Sequence, residues 1–441
     1  MTPDCRRPSW SALVSFYLPL VVISFSQCFT YPLVASVISH GPLEGLEYEA
    51  YVIGQQVVSF FASIGFALVT TGIVFATSRR GQAAFIKVNA ILAAFSALCQ
   101  LAIGLPVFEN LVFGRFLAVE NPALRTIARH SVLACVPVQL NFYLRNLFTA
   151  QLFRAKRSDL ANVATIMRVA LAMPVSWFFV RHGLVGYLWG AVAMTIPAVV
   201  ETVLSWWYAR PFLAALPDAP ARGEGADTAN DASVGRQLRF TIPLSLGGIL
   251  MTATAFVCTY FYSYSSDPER FRLIHYVTYG LSAAFFASAL KFQTVAVVFA
   301  TTPAATRRVM AFAVAASAAL GSILLGVSFI RPFARWYFCV FQQIPPDSLR
   351  LATTTAATGL AITVLYALRG LAEGLAAIRM RPRAVLCGQF AYVVLFAASF
   401  AASPTLLRGL DHLWGFAAIA FATALSAMTT WCASRLLPPT R

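Results

Sequence analysis

Apolar runs long enough to cross a bilayer as helices, about twenty residues each, recur along the whole chain between short polar breaks. They predict spans at 11–38, 51–76, 83–105, 128–152, 160–181, 184–209, 238–262, 273–300, 309–330, 351–377, 384–402 and 412–433. The expected fold class is therefore an all-α polytopic membrane protein of twelve transmembrane helices. One long polar stretch interrupts the pattern, at 210–237. Its Pro, Gly, Ala and Asp content and its lack of apolar periodicity predict a flexible linker. The expected domains are a six-helix lobe over 1–209, the linker 210–237, and a second six-helix lobe over 238–441. Residues 331–350, rich in aromatics, predict a loop with a short interfacial helix.

The two lobes repeat each other. Phe16-x-x-Pro19-Leu20 recurs as Phe240-x-x-Pro243-Leu244, 224 positions on. Phe60-Phe61-Ala62-Ser63 recurs as Phe285-Phe286-Ala287-Ser288, at 225. Val74-Phe75-Ala76-Thr77 recurs as Val298-Phe299-Ala300-Thr301, and Leu144-Arg145-x-Leu147 as Leu368-Arg369-x-Leu371, both at 224. Leu188-Trp189-Gly190 recurs as Leu413-Trp414-Gly415, and Trp206-x-x-x-Arg210 as Trp431-x-x-x-Arg435, both at 225. A duplicated helical bundle spanning the bilayer is the build of a secondary transporter.

Composition narrows the classes. Hydrophobic residues make up 59% of the chain and charged residues 11%, where soluble proteins carry about 25% charged residues. This excludes most soluble enzymes. The net charge of +16 is explained by basic loops on the cytoplasmic side rather than by nucleic acid. The eight cysteines have no metal or disulfide spacing. The first apolar run is too long for a signal peptide and predicts a retained span. No cofactor and no metal site are expected.

Lys and Arg set the sidedness. Arg6, Arg7, Arg79, Arg80, Arg154, Lys156, Arg157, Arg307, Arg308, Arg379, Arg381, Arg383, Arg435 and Arg441 fall on one set of loops. Glu44, Glu47, Glu49, Glu109, Glu120, Asp267, Glu269, Asp347 and Asp411 fall on the other. The basic side is expected to be cytoplasmic, with both termini inside and the protein multi-pass in the cytoplasmic (inner) membrane. Six spans per lobe give both lobes the same orientation, so the repeats are parallel. The five histidines map to the acidic side, where a pH sensor is one reading.

Ionisable residues inside spans need a partner or a water-filled cavity. They are Arg145, Arg168, Glu201, Lys291, Arg369 and Glu373. Arg369 and Glu373 are four apart and can pair on one helix face, as a structural pair or as a gating or coupling pair. Arg145 is the repeat partner of Arg369, but Thr149 stands where Glu373 would be. Lys291 lies near the middle of its span. It either pairs with Glu201 or Glu373 or acts as a cavity cation. With Arg168 and Arg145 it would make a cavity net positive, suited to an anionic substrate. Pro19 and Pro243, equivalent in the first span of each lobe, are tolerated kinks or hinges. Gln27, Gln55, Gln56, Asn141, Asn146 and Gln293 are polar positions that line a cavity or join helices.

These features resemble the multidrug/oligosaccharidyl-lipid/polysaccharide (MOP) exporter superfamily, with its MATE-like 6 + 6 build. Each lobe opens with a Leu-Pro-Leu-type element, Tyr17-Leu18-Pro19-Leu20 and Thr241-Ile242-Pro243-Leu244. Leu368-Arg369-Gly370-Leu371 resembles the Leu-Arg-Gly-type element near the end of the fourth helix of a lobe, and Asn146 replaces the Gly in the first lobe. The stretch Gly72-Ile73-Val74-Phe75-Ala76-Thr77-Ser78-Arg79-Arg80 is similar to the progressive ankylosis (ANK) branch. The resemblance implies export by alternating access of two six-helix lobes, with H+ or Na+ as a coupling ion, as in an antiporter. The ANK branch implies organic and phosphate anions such as citrate, pyrophosphate and ATP. Drug-exporting members use an acid in the first helix, which span 1 here lacks.

The expected function is an exporter for a small anionic metabolite or a lipid-linked anion. The expected substrate-binding residues are Lys291, Arg168 and Arg145. Arg369, Glu373 and Glu201 are the gating or coupling residues. The alternatives are cation-coupled multidrug efflux of MATE type, a major-facilitator-type transporter, and a membrane-embedded lipid transferase. The major-facilitator reading lacks the usual acid before Arg79-Arg80. The enzyme reading lacks a cluster of carboxylates or histidines at one face, so no enzymatic activity is expected.

Overall fold

The computed structural model describes residues 8–43, 45–117, 119, 121–218, 233–262, 264–342 and 344–438. Arg6, Arg7, Glu44, Glu120, Arg441 and linker residues 219–232 lie outside the described residues, as do the side chains of Gln27, Cys28 and Glu269. The described residues are helical throughout, with no strand among them. In chain order the helices are α1 (Trp10–Ser39), α2 (Gly45–Ala62), α3 (Phe66–Phe75), α4 (Arg79–Ile103), α5 (Pro106–Glu109), α6 (Pro122–Ala134), α7 (Val136–Arg154), α8 (Ser158–Arg181) and α9 (Tyr187–Ala214). The second half gives α10 (Val234–Tyr262), α11 (Pro268–Leu290), α12 (Phe292–Phe299), α13 (Pro303–Phe329), α14 (Arg331–Ala334), α15 (Leu349–Ala357), α16 (Gly359–Ile378), α17 (Pro382–Leu406) and α18 (Trp414–Leu436).

Among the described residues, nine helical stretches are long and apolar enough to cross a membrane, and Trp10–Ser26 is a shorter apolar helix. The α6–α7 stretch is not among the nine. Arg125, Arg129, Gln139, Asn141 and Arg145 make it too polar by composition. Helix α9 runs to Ala214 and α10 starts at Val234, so both reach into the segment expected to be linker.

The repeat is written into the backbone. α5 continues into a π-helix at Asn110–Phe116, and α14 does the same at Arg335–Phe341, 225 positions later. The second of these falls within 331–350, where a short helix was expected. Lys156 and Met380, 224 apart, both adopt left-handed φ values of 59° and 55° at the turn before α8 and α17. Arg210 stacks over Trp206 at 5.1 Å, and Arg435 over Trp431 at the same distance. Such pairs place a cation and an aromatic ring together at a helix end, the usual anchor at a membrane surface.

By contact the chain forms two compact units, Ser26–Ile249 and Met1–Phe25 with Leu250–Arg441, called here the N-terminal and C-terminal units. The first helix of each half thus changes unit partway along, at positions 224 apart. In the C-terminal unit, the Phe16 ring meets Phe299 edge-on at 5.2 Å, and the Tyr17 hydroxyl donates to the Ser288 carbonyl at 3.0 Å. In the N-terminal unit, Phe240 meets Phe75 edge-on at 5.1 Å, and the Ser245 hydroxyl donates to the Ile64 carbonyl at 2.7 Å. Phe16 and Phe240 are repeat partners, as are Phe75 and Phe299. The motifs that betray the duplication in sequence are therefore the contacts through which each first helix docks.

Four expected spans are broken rather than continuous. The breaks fall at Ser63–Gly65, Cys135, Lys291 and Thr358. Hydrophobic periodicity cannot reveal them, because the apolar run carries on through each break. A close helix crossing lies at one. A Cβ on Gly370 would lie 2.8 Å from the Leu290 carbonyl oxygen, and one on Gly374 2.5 Å from that of Gln293. Small residues four apart let α16 approach the α11–α12 break this closely. This also explains the departure of the first half from the Leu-Arg-Gly element. Gly65 is the repeat partner of Leu290, and Asn146 that of Gly370. In the first half the Asn146 amide donates to the Gly65 carbonyl at 3.2 Å. The glycine has moved to the other side of the contact.

The loops at the acidic end are tied by buried or half-buried acids. The Tyr187 N–H donates to Glu47 at 2.9 Å, and both the N–H and the hydroxyl of Ser266 donate to Asp411. Glu109 pairs with Arg129 at 2.8 Å. His275 lies near the start of α11, at the end of its span. It is buried inside α11 against the rings of Tyr262 and Phe416, because its aromatic neighbours close over it.

Gly374→Ala is expected to lower the thermal unfolding temperature in detergent by several degrees, an overpacking cost of about 1–3 kcal/mol. Gly326→Ala is the control, since nothing lies within 4 Å of a Cβ there. Equal unfolding temperatures for both variants would contradict the close crossing.

Candidate functional site

Each unit buries an arginine–carboxylate cluster, among the fourth, fifth and sixth long helices in the N-terminal unit and between the fourth and fifth in the C-terminal unit. In the N-terminal unit α7 supplies Arg145, α8 supplies Thr165 and Arg168, and α9 supplies Glu201. Thr165 and Arg168 are three apart and share a face of α8. Arg145 reaches Glu201 at 2.9 Å and Arg168 reaches it at 3.0 Å. The Thr165 hydroxyl donates to the other carboxylate oxygen at 2.6 Å. Arg168 and Glu201 are 3% and 1% exposed. The Arg145 guanidinium also lies over the Phe142 ring at 4.9 Å. Two guanidinium groups share one carboxylate, so the cluster carries a net charge of +1.

In the C-terminal unit α16 supplies Arg369 and Glu373, and α17 supplies Gln389 and Tyr392. Arg369 Nε donates to Glu373 at 2.9 Å, one turn away. The Gln389 amide donates to the same carboxylate at 2.5 Å, and Arg369 donates to the Gln389 carbonyl oxygen. The Arg369 guanidinium lies over the Tyr392 ring at 4.6 Å. One guanidinium balances one carboxylate here.

The two clusters are repeat equivalents. Arg145 corresponds to Arg369, Thr165 to Gln389 and Arg168 to Tyr392, each 224 apart. The shared element is an arginine on the fourth helix paired with a carboxylate, to which a polar side chain of the fifth helix also donates: Thr165 in the first half, Gln389 in the second. The acid differs in origin. It comes from α9 in the first half and from the arginine's own helix in the second. Thr149 occupies the position of Glu373 in the first half, and Ser426 that of Glu201 in the second, where its hydroxyl donates to the Gly388 carbonyl at 2.8 Å. The acid that the first half lacks at Thr149 is thus replaced from another helix.

The structure brings Arg145, Arg168 and Glu201 together, and Arg369 with Glu373. Lys291 lies in the C-terminal unit, half-buried at the α11–α12 break, where its N–H donates to the Ser288 carbonyl at 3.1 Å. Pro19 and Pro243 sit inside the continuous helices α1 and α10, each six residues before its helix changes unit. Thr165, Phe142, Gln389 and Tyr392 were not singled out from sequence. The repeat offset carried the signal, since it maps Thr165 onto Gln389 and Arg168 onto Tyr392. Among the described residues, no group of three or more His, Cys, Asp or Glu could hold a metal ion.

No family model matches the sequence, and no curated protein matches it. Solved structures match closely in fold. The eukaryotic MATE transporter AtDTX14 aligns with a TM-score of 0.71 at 13% identity, over 97% of this chain and 96% of that one. An outward-facing multidrug resistance MATE family transporter of the MOP superfamily aligns at 0.68 and 15% identity, over 96% and 95%. A MOP superfamily transporter from Pyrococcus furiosus, described by the reverse polarity of its binding pocket, aligns at 0.68 and 14% identity, over 96% and 95%. The chain therefore has the MATE fold. These structures bear on the fold and not on the ANK branch.

Breaking a buried ion pair by removing one partner costs about 3–5 kcal/mol. Glu201→Ala leaves the buried Arg168 and the half-buried Arg145 without a counter-charge and is expected to lose that much. Arg168→Tyr, which installs the residue of the second half, keeps the Arg145–Glu201 pair and is expected to cost less. Thermal unfolding of both variants in detergent checks the order, and the reverse order would contradict it.

Proposed function

We propose that the chain is a secondary active exporter of a small anionic metabolite or a lipid-linked anion. Two six-helix lobes, 1–209 and 238–441, alternate access to a site near the membrane midplane and are joined through 210–237. The leading part of each first helix docks in the opposite unit, and Pro19 and Pro243 are the bending points. The MATE fold supports a transporter working in a lipid bilayer. On this reading twelve helices span the inner membrane, with the arginine-rich ends and both termini in the cytoplasm.

The observation that carries the anionic substrate is the charge balance of the buried clusters. The N-terminal cluster holds an excess guanidinium, and the C-terminal cluster is neutral. A site for cationic drugs requires an acid left over to meet the cation. Glu201 is paired with two arginines and Glu373 with one, so neither carries an unbalanced negative charge. Arg145, Arg168 and Lys291 are the substrate-binding residues in this reading. Arg369, Glu373 and Glu201 couple or gate, with H+ or Na+ as the counter-ion. The Pyrococcus furiosus transporter, described by a pocket of reverse polarity, offers a precedent on this fold for a pocket of altered charge.

Uptake into proteoliposomes tests the reading. Labelled citrate, pyrophosphate and ATP are compared with a cationic dye, for wild type, Lys291→Ala and Arg168→Ala. Anion uptake is expected to fall at least tenfold in both variants, with the dye excluded throughout. Dye uptake without anion uptake would return the protein to multidrug efflux. A lipid-linked substrate would leave the whole panel silent, and a flipping assay with a pyrophosphate-linked lipid separates that case.

A further inference from the structure

At the arginine-rich end of the N-terminal unit, the ends of α8 and α9 form an open groove of about 400 Å³ lined by Arg157, Leu160, Trp207, Tyr208, Arg210 and Phe212. We propose that this groove binds the phosphate headgroup of one anionic phospholipid. The inference rests on the chain spanning a membrane and is independent of what it transports.

Both arginines are held in place before any ligand arrives. Arg157 engages Asp159 through Nε and one Nη, at 2.9 and 2.8 Å. Arg210 lies over the rings of Trp206 and Trp207, at 5.1 and 5.4 Å. Neither interaction uses all the donors of a guanidinium, which presents five N–H groups. Planar guanidinium groups fit phosphate oxygens two at a time. Two arginines and one aspartate leave the groove net positive.

The second half supplies an internal comparison. Arg157 corresponds to Arg381 and Arg210 to Arg435. There the equivalent groove is filled by the protein itself. Arg381 donates to the Ser434 carbonyl, and Arg379 donates to the Ser434 hydroxyl at 3.0 Å. Arg379 and Arg435 crowd the same Trp431 ring. Three residue differences keep the first groove open. Ala155 stands in place of Arg379, Ala209 in place of Ser434, and Trp207 in place of Cys432. Two differences remove the groups that would fill the groove, and the third adds a wall.

The occupant follows from the surroundings. Trp207 is 59% exposed and Val203, one turn earlier on α9, is 52% exposed. The basic groove thus runs into an apolar helix face, as a headgroup with acyl chains requires. Basic pockets at the ends of transmembrane helices suit anionic lipid headgroups.

Native mass spectrometry of the full chain tests this, by titration with phosphatidylglycerol, phosphatidylcholine and inorganic phosphate. Wild type is expected to bind one phosphatidylglycerol at least tenfold tighter than phosphatidylcholine. The double variant Arg157→Ala with Arg210→Ala is expected to bring that ratio close to one. Arg435→Ala, in the filled groove, is expected to leave it unchanged. Should the double variant fail to fold, Arg157→Gln alone is expected to reduce the ratio several-fold. No preference in wild type, or a preference that survives the substitutions, would overturn the proposal. Displacement of the lipid by equimolar inorganic phosphate would also overturn it, by making the groove a site for a soluble phosphate.

Discussion

A guanidinium buried among transmembrane helices has to be matched by a carboxylate, and in this chain that requirement fixes where three helices meet in the first half and two in the second. Unpaired, such a group costs several kcal/mol. Arg145 therefore draws α9 against α7 through Glu201, and Arg168 draws α8 to the same carboxylate. In the other half Arg369 is satisfied within α16 and from α17 through Gln389. The geometry of the cluster is retained across the duplication while the source of the acid is not. That freedom is what allows the two halves to differ by one net charge. A duplicated bundle with equal clusters would have no sidedness of charge. Of the two clusters here, the N-terminal one carries the excess cation.

The duplication also governs how the chain is divided. Sequence halves and compact units are not the same, because α1 and α10 each belong to both units. The edge-on pairs Phe16–Phe299 and Phe240–Phe75 have nearly the same spacing, 5.2 and 5.1 Å. Each pair joins the first helix of one half to the third helix of the other. Helices shared in this way connect two bodies by continuous backbone, and a proline precedes each change of unit. The glycine exchange between Gly65–Asn146 and Leu290–Gly370 shows the same logic on a smaller scale. The close contact is kept while the residue that permits it changes helix.

Much of this was legible in the chain, and the limits have physical causes. The apolar runs gave the helices, and the constant offset gave the repeat that Lys156 and Met380 confirm in their backbone angles. The Arg369–Glu373 pair was visible because helix geometry puts residues four apart on one face. The pairing of Glu201 was not, since its partners lie 33 and 56 residues away. No local spacing encodes a contact between helices. The breaks at Ser63–Gly65 and Lys291 were hidden because hydropathy is blind to a helix that stops and restarts within one apolar run. Helix α9 continues past its apolar stretch to Ala214, which hydropathy does not mark. The acids at the loops marked an end of the bundle, but their work as ties between loops, as for Glu47 and Asp411, depends on partners far along the chain.

The central claim is that the excess buried cation selects an anion. The most direct measurement is the sign of the current from proteoliposomes on a solid-supported membrane after a substrate jump. A jump of citrate or pyrophosphate is predicted to give a transient of negative charge movement, with no transient from a jump of tetraphenylphosphonium. A transient from the cation alone would contradict the account.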